Sequence, residues 1–201
     1  WVPRFWAKKQ LNLNPEQPPP VPATGELCIN GELQETPSRP QRTVFSKTLQ
    51  RLRSDGGSTI ILPPGTGKTN IALALAAELG QKTIIVCFNN FLLEQWRSRI
   101  QSFVRGVARV GLIQREVCDT EGCDFVLCSM KSLVSRDYGE LSCGLVIVDE
   151  AHHIAATTFS EGLRKLTYRY SLALTGTPKR SDGLEAVIYY LAGFPAYVHE
   201  A

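Results

Sequence analysis

The feature that most constrains the fold is a glycine-rich stretch between an apolar run and a helical pattern. Residues 61–69 read ILPPGTGKT; they overlap the end of the β-rich run Thr59–Leu62 and precede the helical pattern Asn70–Glu78. In a strand-to-helix turn, glycines let backbone N–H groups point inward, and the helix N-terminus adds partial positive charge. The stretch therefore predicts a phosphate-binding loop, although the general motif has glycine where Leu62 stands. A turn of this kind without a ligand is the alternative.

Further short β-rich runs alternate with helical patterns along the chain. The runs are Thr83–Phe88, Ala108–Ile113, Asp124–Cys128, Leu145–Val148 and Ser171–Thr175. Helical patterns are residues 41–55, Asn70–Glu78, Phe91–Phe103 and Leu184–Leu191. Strands that are apolar on both faces and alternate with helices favour a parallel sheet covered on both sides. We therefore expect an α/β fold with three layers and a mostly parallel central sheet.

Composition narrows the class of protein but leaves the partner open. The 201 residues suffice for one well-buried domain with an appendage, and 43% hydrophobic with 20% charged residues is typical of a soluble globular chain. The net charge of +3 permits a nucleic-acid partner without arguing for one. The apolar run Ile71–Ala77 is far shorter than the ~20 residues that span a bilayer, so we expect no membrane partner. Six cysteines without a CxxC pair indicate reduced thiols rather than a zinc site.

The first 40 residues differ in composition from the rest. They hold eight of the twelve prolines, including the run Pro18–Pro20 followed by Pro22. We expect residues 1–38 to be a Pro-rich N-terminal extension without helix or central strand, and residues 39–201 to form the main domain. Alternation around Asn30-Gly31 predicts a hairpin within residues 26–33.

A second chemical feature is the sequence GLVIVDEAHH at residues 144–153. An apolar strand that ends in Asp149 and Glu150 places two carboxylates at the edge of the sheet where the phosphate loop also lies. Lys68 would then reach the β- and γ-phosphates, and the Thr69 hydroxyl would ligate Mg²⁺. Asp149 would hold Mg²⁺ through water, and Glu150 would polarise the attacking water. A charged strand end facing solvent is the alternative for the two carboxylates taken alone.

Together these motifs resemble those of superfamily 2 helicases and translocases. The sequences GTGKT (65–69), DEAH (149–152) and LTGTPKR (174–180) are similar to motifs I, II and III of the first RecA-like domain in that superfamily. The resemblance covers most of residues 39–195, and leucine at position 62 is accepted in the family. The sequences NFLLEQW (90–96), VGLIQ (110–114) and DGL (182–184) are similar to the DEAH-type branch, which contains XPB-like repair helicases and transcript-release helicases of large DNA viruses.

The resemblance implies ATP and Mg²⁺ as cofactors and assigns further roles. The implied ATP-binding residues are Gln41, Pro64, Gly65, Thr66, Gly67, Lys68 and Thr69. Gln41 would recognise adenine, although Arg39-Pro40-Gln41 lacks the family's aromatic residue, and an ordinary helix-start residue is the alternative. His152, Thr175 and Thr177 would couple hydrolysis to nucleic-acid contacts, whereas His153 is better explained as a local hydrogen-bonding residue.

The resemblance also implies DNA or RNA as a partner. Phe88 and Asn89 resemble motif Ia, and Ser129 and Lys131 resemble motif Ib; polar strand-end loops are the alternative for both. A second RecA-like domain would supply the arginine that completes the hydrolysis site, so this domain alone would be a weak ATPase. We expect an intracellular location, either nuclear or cytoplasmic, with a viral factory or virion as a further option.

Overall fold

A computed structural model of the chain describes residues 2–107, 109–153, 156–176 and 185–198. The helices in these ranges are α1 (Arg4–Gln10), α2 (Gln41–Asp55), α3 (Lys68–Leu79), α4 (Asn90–Phe103), α5 (Met130–Ser135), α6 (Ala156–Arg164) and α7 (Glu185–Ala192). The strands are β1 (Cys28–Ile29), β2 (Glu35–Thr36), β3 (Arg39–Pro40), β4 (Gly57–Ile61), β5 (Thr83–Cys87), β6 (Val104–Arg105), β7 (Val110–Gln114), β8 (Val117–Asp119), β9 (Phe125–Ser129), β10 (Leu141–Val148), β11 (Leu166–Thr175) and β12 (Pro195–Val198).

An eight-stranded sheet forms the centre of the molecule. Its strand order is β12-β4-β11-β10-β5-β9-β7-β8, and every neighbouring pair is parallel except the β7–β8 pair. The six predicted strands all lie in this sheet, with bounds shifted by a few residues. The prediction of a mostly parallel sheet is therefore confirmed.

Helices cover both faces of the sheet. Side chains alternate along each strand, so that in β5 Ile85 packs into a core with α2, α3 and α4, whereas Ile84 and Val86 pack into a core with α5, α6 and α7. Both cores consist mainly of aliphatic side chains that are fully buried. The predicted three-layer α/β architecture is confirmed.

The parallel strands give the sheet two unlike edges. All parallel strands begin at what we call the amino edge and end at what we call the carboxyl edge. Strand β4 leads into the glycine-rich loop at the carboxyl edge, and β10 ends there at Val148, directly before the two carboxylates. The topology therefore brings the two predicted chemical features to the same edge.

Residues 2–40, the N-terminal segment, run first along the amino edge and then up to the carboxyl edge. Phe5 of α1 is buried where the segment meets Gly57 at the start of β4. Further on, the Lys82 N–H donates to the Val21 carbonyl at 2.8 Å, beside the start of β5. The segment then passes α3 and reaches α2 through the short β2–β3 pair.

Two predictions for this segment were wrong. Residues 4–10 form helix α1, because Phe5 and Ala7 find a buried site against α7 that local composition does not reveal. Cys28–Ile29 do not form a hairpin around Asn30-Gly31; they pair with Val104–Arg105, which follow α4. Leu27 and Leu33 are both buried in the core, and this long-range packing prevails over the local turn signal.

None of the helices in the described ranges has the length and apolar composition needed to cross a membrane.

Candidate functional site

The loop between β4 and α3 bends through two glycines. Gly65 and Gly67 have φ angles of 80° and 92°, in the left-handed region that favours glycine. Helix α3 begins at the next residue, Lys68, so the loop ends at a helix N-terminus whose partial positive charge favours anions. Thr66 stabilises the bend, because its Oγ1 donates to the Pro63 carbonyl at 2.7 Å.

Leu62 occupies the position at which the general motif has glycine. Its side chain is 1% exposed in the core, and its N–H donates to the Thr175 carbonyl at 3.1 Å. Leu62 thus continues the β4–β11 pairing past Ile61. A leucine fits here because this position extends the strand and supplies core volume.

The Lys68 side chain turns back into the loop. Its Nζ donates to the Leu62 carbonyl at 2.8 Å, and the residue is 9% exposed. Burial lowers the pKa of Lys68, while attraction to Glu150 and Asp149 acts in the opposite direction. The cation is therefore held close to both carboxylates in a site where its charge interacts strongly.

Asp149 is held by two hydrogen bonds at the end of β10. Its Oδ2 accepts from the indole Nε1 of Trp96 at 2.8 Å, and its Oδ1 accepts from the backbone N–H of Glu150 at 2.9 Å. Burial raises the pKa of Asp149, and the hydrogen bond from Trp96 opposes that rise. Each carboxylate oxygen thus has a fixed donor from the protein.

Glu150 has an unusual backbone. Its φ of 47° lies in the left-handed region, which is uncommon for a residue other than glycine and is found mostly in turns and functional sites. Its Oε2 lies 3.4 Å from Nδ1 of His152, and that ring nitrogen lies 3.0 Å from Oγ1 of Thr175. The turn therefore connects the carboxylate to the end of β11.

Gln41 links the phosphate loop to the N-terminal segment. Its Nε2 donates to the Thr66 carbonyl at 2.8 Å, and its Oε1 accepts from the N–H of Gln34 at 2.9 Å. A Cβ atom on Gly67 would lie only 2.2 Å from Gln41 Nε2, and the φ of 92° at this position independently favours glycine. The side chain is 5% exposed and contributes to the position of the loop.

These groups line one cleft of about 1090 Å³ at the carboxyl edge. Residues of the prediction that line it are Gln41, Pro64, Gly65, Gly67, Lys68, Thr69, Asp149 and Glu150. Thr66 belongs to the loop itself, but its side chain is buried and does not line the cleft. The volume slightly exceeds the range of about 300–1,000 Å³ that is typical of pockets for small-molecule ligands.

A second group of predicted residues lies along the same edge, at the ends of β5 and β9. Phe88 follows β5 and is 39% exposed, and the Asn89 side chain accepts from the Leu92 N–H at the start of α4. Ser129 caps α5 in the same way, accepting from the Ser132 N–H, and Lys131 is exposed beside it. Because β5 and β9 are neighbours, the two helix starts lie side by side.

Comparison with known proteins identifies the family. Residues 34–180 match the family described as the res subunit of Type III restriction enzymes. The chain belongs to this family. Together with the relatives below, the match confirms the predicted resemblance to the first RecA-like domain of superfamily 2 helicases and translocases.

Two curated relatives represent the viral and the XPB-like branches. A protein of Acanthamoeba polyphaga mimivirus, assigned as an ATP-dependent RNA helicase, is 31% identical over 156 residues, which is 76% of this chain and 30% of the relative. The DNA 3'-5' translocase XPB2 of Sulfurisphaera tokodaii is 29% identical over 134 residues, which is 67% of this chain and 30% of the relative. The chain thus spans about a third of the length of these relatives.

A solved structure shows the same fold. The SWI2/SNF2 ATPase core of Sulfolobus solfataricus, solved in complex with dsDNA, matches with a TM-score of 0.68 and 19% identity, covering 89% of this chain and 38% of that chain. The cleft described above therefore lies at the carboxyl edge of a RecA-like sheet.

The oxygen groups at the cleft suit Mg²⁺ bound together with a nucleotide. Within the described residues, no cluster of three or more His, Cys, Asp and Glu side chains could hold a metal ion by itself. Mg²⁺ is usually held by one or two protein oxygens together with substrate phosphates and water. The Asp149 carboxylate and the Thr69 hydroxyl, which both line the cleft, are groups of this kind.

The structure joins most of the predicted coupling residues. His152 and Thr175 are in hydrogen-bond contact, whereas Thr177 lies outside the described residues, as do Asp182, Gly183 and Leu184. The His153 ring, for which we favoured a local hydrogen-bonding role, lies 4.0 Å from the His152 ring and 5.1 Å from the Phe88 ring, measured between centroids.

The sequence did not predict the hydrogen bond from Trp96 to Asp149, which is the main contact of the site that the predictions lacked. The residue type of Trp96 and its place in the sequence NFLLEQW are visible in the sequence, but its bond to Asp149 joins residues 53 positions apart. No local pattern in the sequence identifies the partner of this indole; the residue type alone indicates that a tryptophan, once buried, needs an acceptor for its N–H.

Proposed function

We propose that this chain is the ATP-binding half of a nucleic-acid-dependent ATPase, a helicase or translocase that couples ATP hydrolysis to movement on DNA or RNA or to its unwinding. The observation that carries the proposal is the convergence of Lys68, Asp149 and Glu150 on one cleft beside a glycine-rich loop. Membership of the superfamily supports the assignment.

The residues of the cleft divide the chemistry among them. The loop Pro64–Thr69 binds the phosphates through backbone N–H groups, and Lys68 contacts the β- and γ-phosphates. Glu150 accepts a proton from the attacking water as the water oxygen bonds to the γ-phosphorus, the bond from the γ-phosphorus to the bridging oxygen breaks, and ADP and phosphate form. Thr69 would ligate Mg²⁺ and Asp149 would hold it through water, and the bound ion would neutralise charge on the phosphate oxygens. Gln41, which lines the cleft, would recognise adenine by exchanging its present contacts with the Thr66 carbonyl and the Gln34 N–H.

Coupling follows a chain of contacts along the carboxyl edge. Glu150 contacts His152, and His152 contacts both Thr175 and the ring of His153. His153 in turn contacts Phe88, at the helix start proposed to bind nucleic acid. A shift of Phe88 on nucleic-acid binding would therefore reach the carboxylate through two packed rings, which extends the proposed coupling set to His153.

Nucleic acid would bind at the two neighbouring helix starts. Asn89 and Ser129 use their side-chain oxygens as acceptors in the helix caps, so the Asn89 Nδ2 and the Ser129 hydroxyl hydrogen would donate to phosphate oxygens together with backbone N–H groups at the helix starts and the Lys131 cation. Contacts of this kind read the backbone and not the bases, and they weaken with salt.

A second RecA-like domain would complete the site. In such motors it supplies an arginine that is worth roughly 10³–10⁵ in rate, so we expect the single domain to be a weak ATPase. An intracellular location, in nucleus, cytoplasm, viral factory or virion, remains a prediction that the viral relative supports.

The family description favours one alternative. A RecA-like ATPase of a restriction-type or remodelling complex would use the same cleft without separating strands. An interaction module that has kept the fold without catalysis is a third option, which the intact Lys68, Asp149 and Glu150 disfavour.

The test is the ATPase rate with and without single-stranded and duplex DNA and RNA. It is measured on this chain and on a form that also carries a second RecA-like domain. We expect strong stimulation of the two-domain form by one polymer and almost none of the single domain. Glu150→Gln should bind ATP and stop turnover. If none of the nucleic acids changes the ATPase rate of the two-domain form, the remodelling alternative is favoured. If Glu150→Gln hydrolyses ATP at the native rate, Glu150 does not activate the attacking water.

A further inference from the structure

The Trp96 indole lies between α4 and the end of β10. Trp96 is on the buried face of α4 with Leu93 and Ile100, and only 1% of it is exposed. Its Nε1 donates to Asp149 Oδ2 at 2.8 Å, and Asp149 is itself 6% exposed. An indole N–H is a donor only, so in this buried position its orientation follows from the carboxylate it meets.

The two donors on Asp149 fix the plane of the carboxylate. One is the Glu150 N–H at 2.9 Å on Oδ1, and the other is the indole on Oδ2. The first comes from the turn that follows β10, and the second comes from a rigid ring packed in the core. Two fixed donors on two oxygens leave the carboxylate little freedom to rotate, and each oxygen retains a lone pair for a further contact.

The ring also borders the cleft itself. Trp96 lines the same cavity as Lys68, Thr69 and Asp149, from the side of α4. Outer groups that orient a ligand to a metal contribute to metal affinity, and their loss typically lowers that affinity 10- to 100-fold.

We propose that Trp96 is a positioning residue that orients Asp149 toward the phosphate loop and thereby sets the affinity of the cleft for Mg²⁺ together with a nucleotide. The inference rests on the proposed function, because it concerns the same cleft. Trp96 acts through Asp149 and does not itself take part in the reaction.

The first experiment removes the N–H and keeps an aromatic ring. Trp96→Phe is compared with Trp6→Phe, the same change in α1 at the amino edge. ADP binding to this chain is measured by calorimetry with Mg²⁺ and with a chelator. We expect Trp96→Phe to weaken the Mg²⁺-dependent part of ADP binding about tenfold, to leave Mg²⁺-free binding unchanged, and Trp6→Phe to change neither.

Two results would overturn the proposal. One is an unchanged Mg²⁺ dependence in Trp96→Phe. The other is an equal loss of ADP affinity with and without Mg²⁺, which would mean that the ring only supports the shape of the cleft.

A second experiment leaves Trp96 in place, and so does not depend on the folding of the first variant. The chain holds three tryptophans, and Trp1→Phe with Trp6→Phe leaves Trp96 as the single indole. Adding Mg²⁺ to the ADP-bound form should change the indole emission, because the acceptor of its N–H then faces a cation. Asp149→Asn should abolish that change. Emission that does not respond to Mg²⁺ would contradict the proposal.

The failure of this inference is distinguishable from that of the proposed function. If the native chain binds no ADP under any condition, the cleft is not a nucleotide site, and the proposed role of Trp96 is wrong as well. If the native chain binds ADP with Mg²⁺ and Trp96→Phe binds it identically, only the role of Trp96 is lost.

Discussion

The two edges of the parallel sheet differ in what they bury. The carboxyl edge buries a lysine and a carboxylate, Lys68 and Asp149, and in each case burial shifts the pKa against the charged form. The amino edge is covered by the N-terminal segment, which contacts it through buried side chains such as Phe5, through backbone hydrogen bonds, and through polar contacts such as that of Thr24 with the buried carboxylate of Asp124. The buried charges of the carboxyl edge therefore border the cleft, whereas the buried carboxylate of the amino edge is bonded within the fold.

The difference teaches where substitutions should act. Buried charges interact strongly with a ligand but cost free energy in the fold, so their removal should harm binding more than stability. Apolar burial at the amino edge contributes to the free energy of unfolding and touches no ligand. A substitution at the carboxyl edge should therefore lower ligand affinity more than the free energy of unfolding. A substitution at the amino edge should lower the free energy of unfolding and leave ligand affinity unchanged.

The largest effect is expected from Phe5→Ala at the amino edge. Phe5 is 4% exposed against Gly57, and truncation of a buried phenylalanine lowers the free energy of unfolding by about 3–5 kcal/mol. Phe91→Ala is the matched control, because Phe91 is 70% exposed at the rim of the cleft. Urea unfolding measures both. A loss of less than about 1 kcal/mol in Phe5→Ala would mean that the segment is not part of the stable fold.

Lys68→Ala should have the next largest effect. We expect ADP and ATP affinity to fall by at least about 100-fold, equivalent to about 2.7 kcal/mol, because the loop loses its cation. Lys82→Ala is the matched control, since Lys82 Nζ also donates to a backbone carbonyl, that of Thr120, but at the amino edge. Calorimetric titration should show unchanged affinity in Lys82→Ala. An equal loss of nucleotide affinity in both variants would show that the two edges of the sheet do not differ in their contribution to ligand binding.

The smallest effect concerns alkaline pH at the amino edge. Burial raises the pKa of Tyr168 from 10.0 to about 12, against the attraction of Arg4. The stability contribution is thus fully present below pH 10.0 and is lost as the pH rises through about 12, since the unfolded state releases the proton first. We expect Tyr168→Phe to resist this loss by about 1–2 kcal/mol in urea unfolding at a series of alkaline pH values. Identical pH profiles for native and Tyr168→Phe chains would refute the assignment.

Periodicity was sufficient to predict the layers of the fold. Apolar runs such as Leu145–Val148 have no polar face, and this pattern occurs where helices cover a strand on both sides. The placement of Asp149 beside the glycine-rich loop also followed, since parallel strands share a carboxyl edge. Both inferences depend on local pattern and on a rule of topology, and neither needs a specific long-range contact.

What the sequence did not reveal depends on contacts between distant residues. Helix α1 is too short to show a periodic pattern, and its burial depends on α7, which lies about 180 residues later. The pairing of Cys28 with Arg105 competes with a legitimate turn signal at Asn30-Gly31. The bond from Trp96 to Asp149 has no local signature either, because any buried tryptophan on the face of a helix packs in a similar way.

The contact between Thr24 and Asp124 has a consequence for any shortened form of the chain. Asp124 is fully buried, and its Oδ1 accepts from the Thr24 N–H at 2.7 Å and from the Thr24 hydroxyl at 2.6 Å. A cut after residue 38, where the composition changes, would remove Thr24 with both of these donor groups, the core side chains of Leu27 and Leu33, and the Gln34 N–H that bonds Gln41 beside the cleft. Such a chain would still contain Lys68, Asp149 and Glu150, yet its native state would have a shorter lifetime than that of the full chain, because the packing that covers the amino edge is gone.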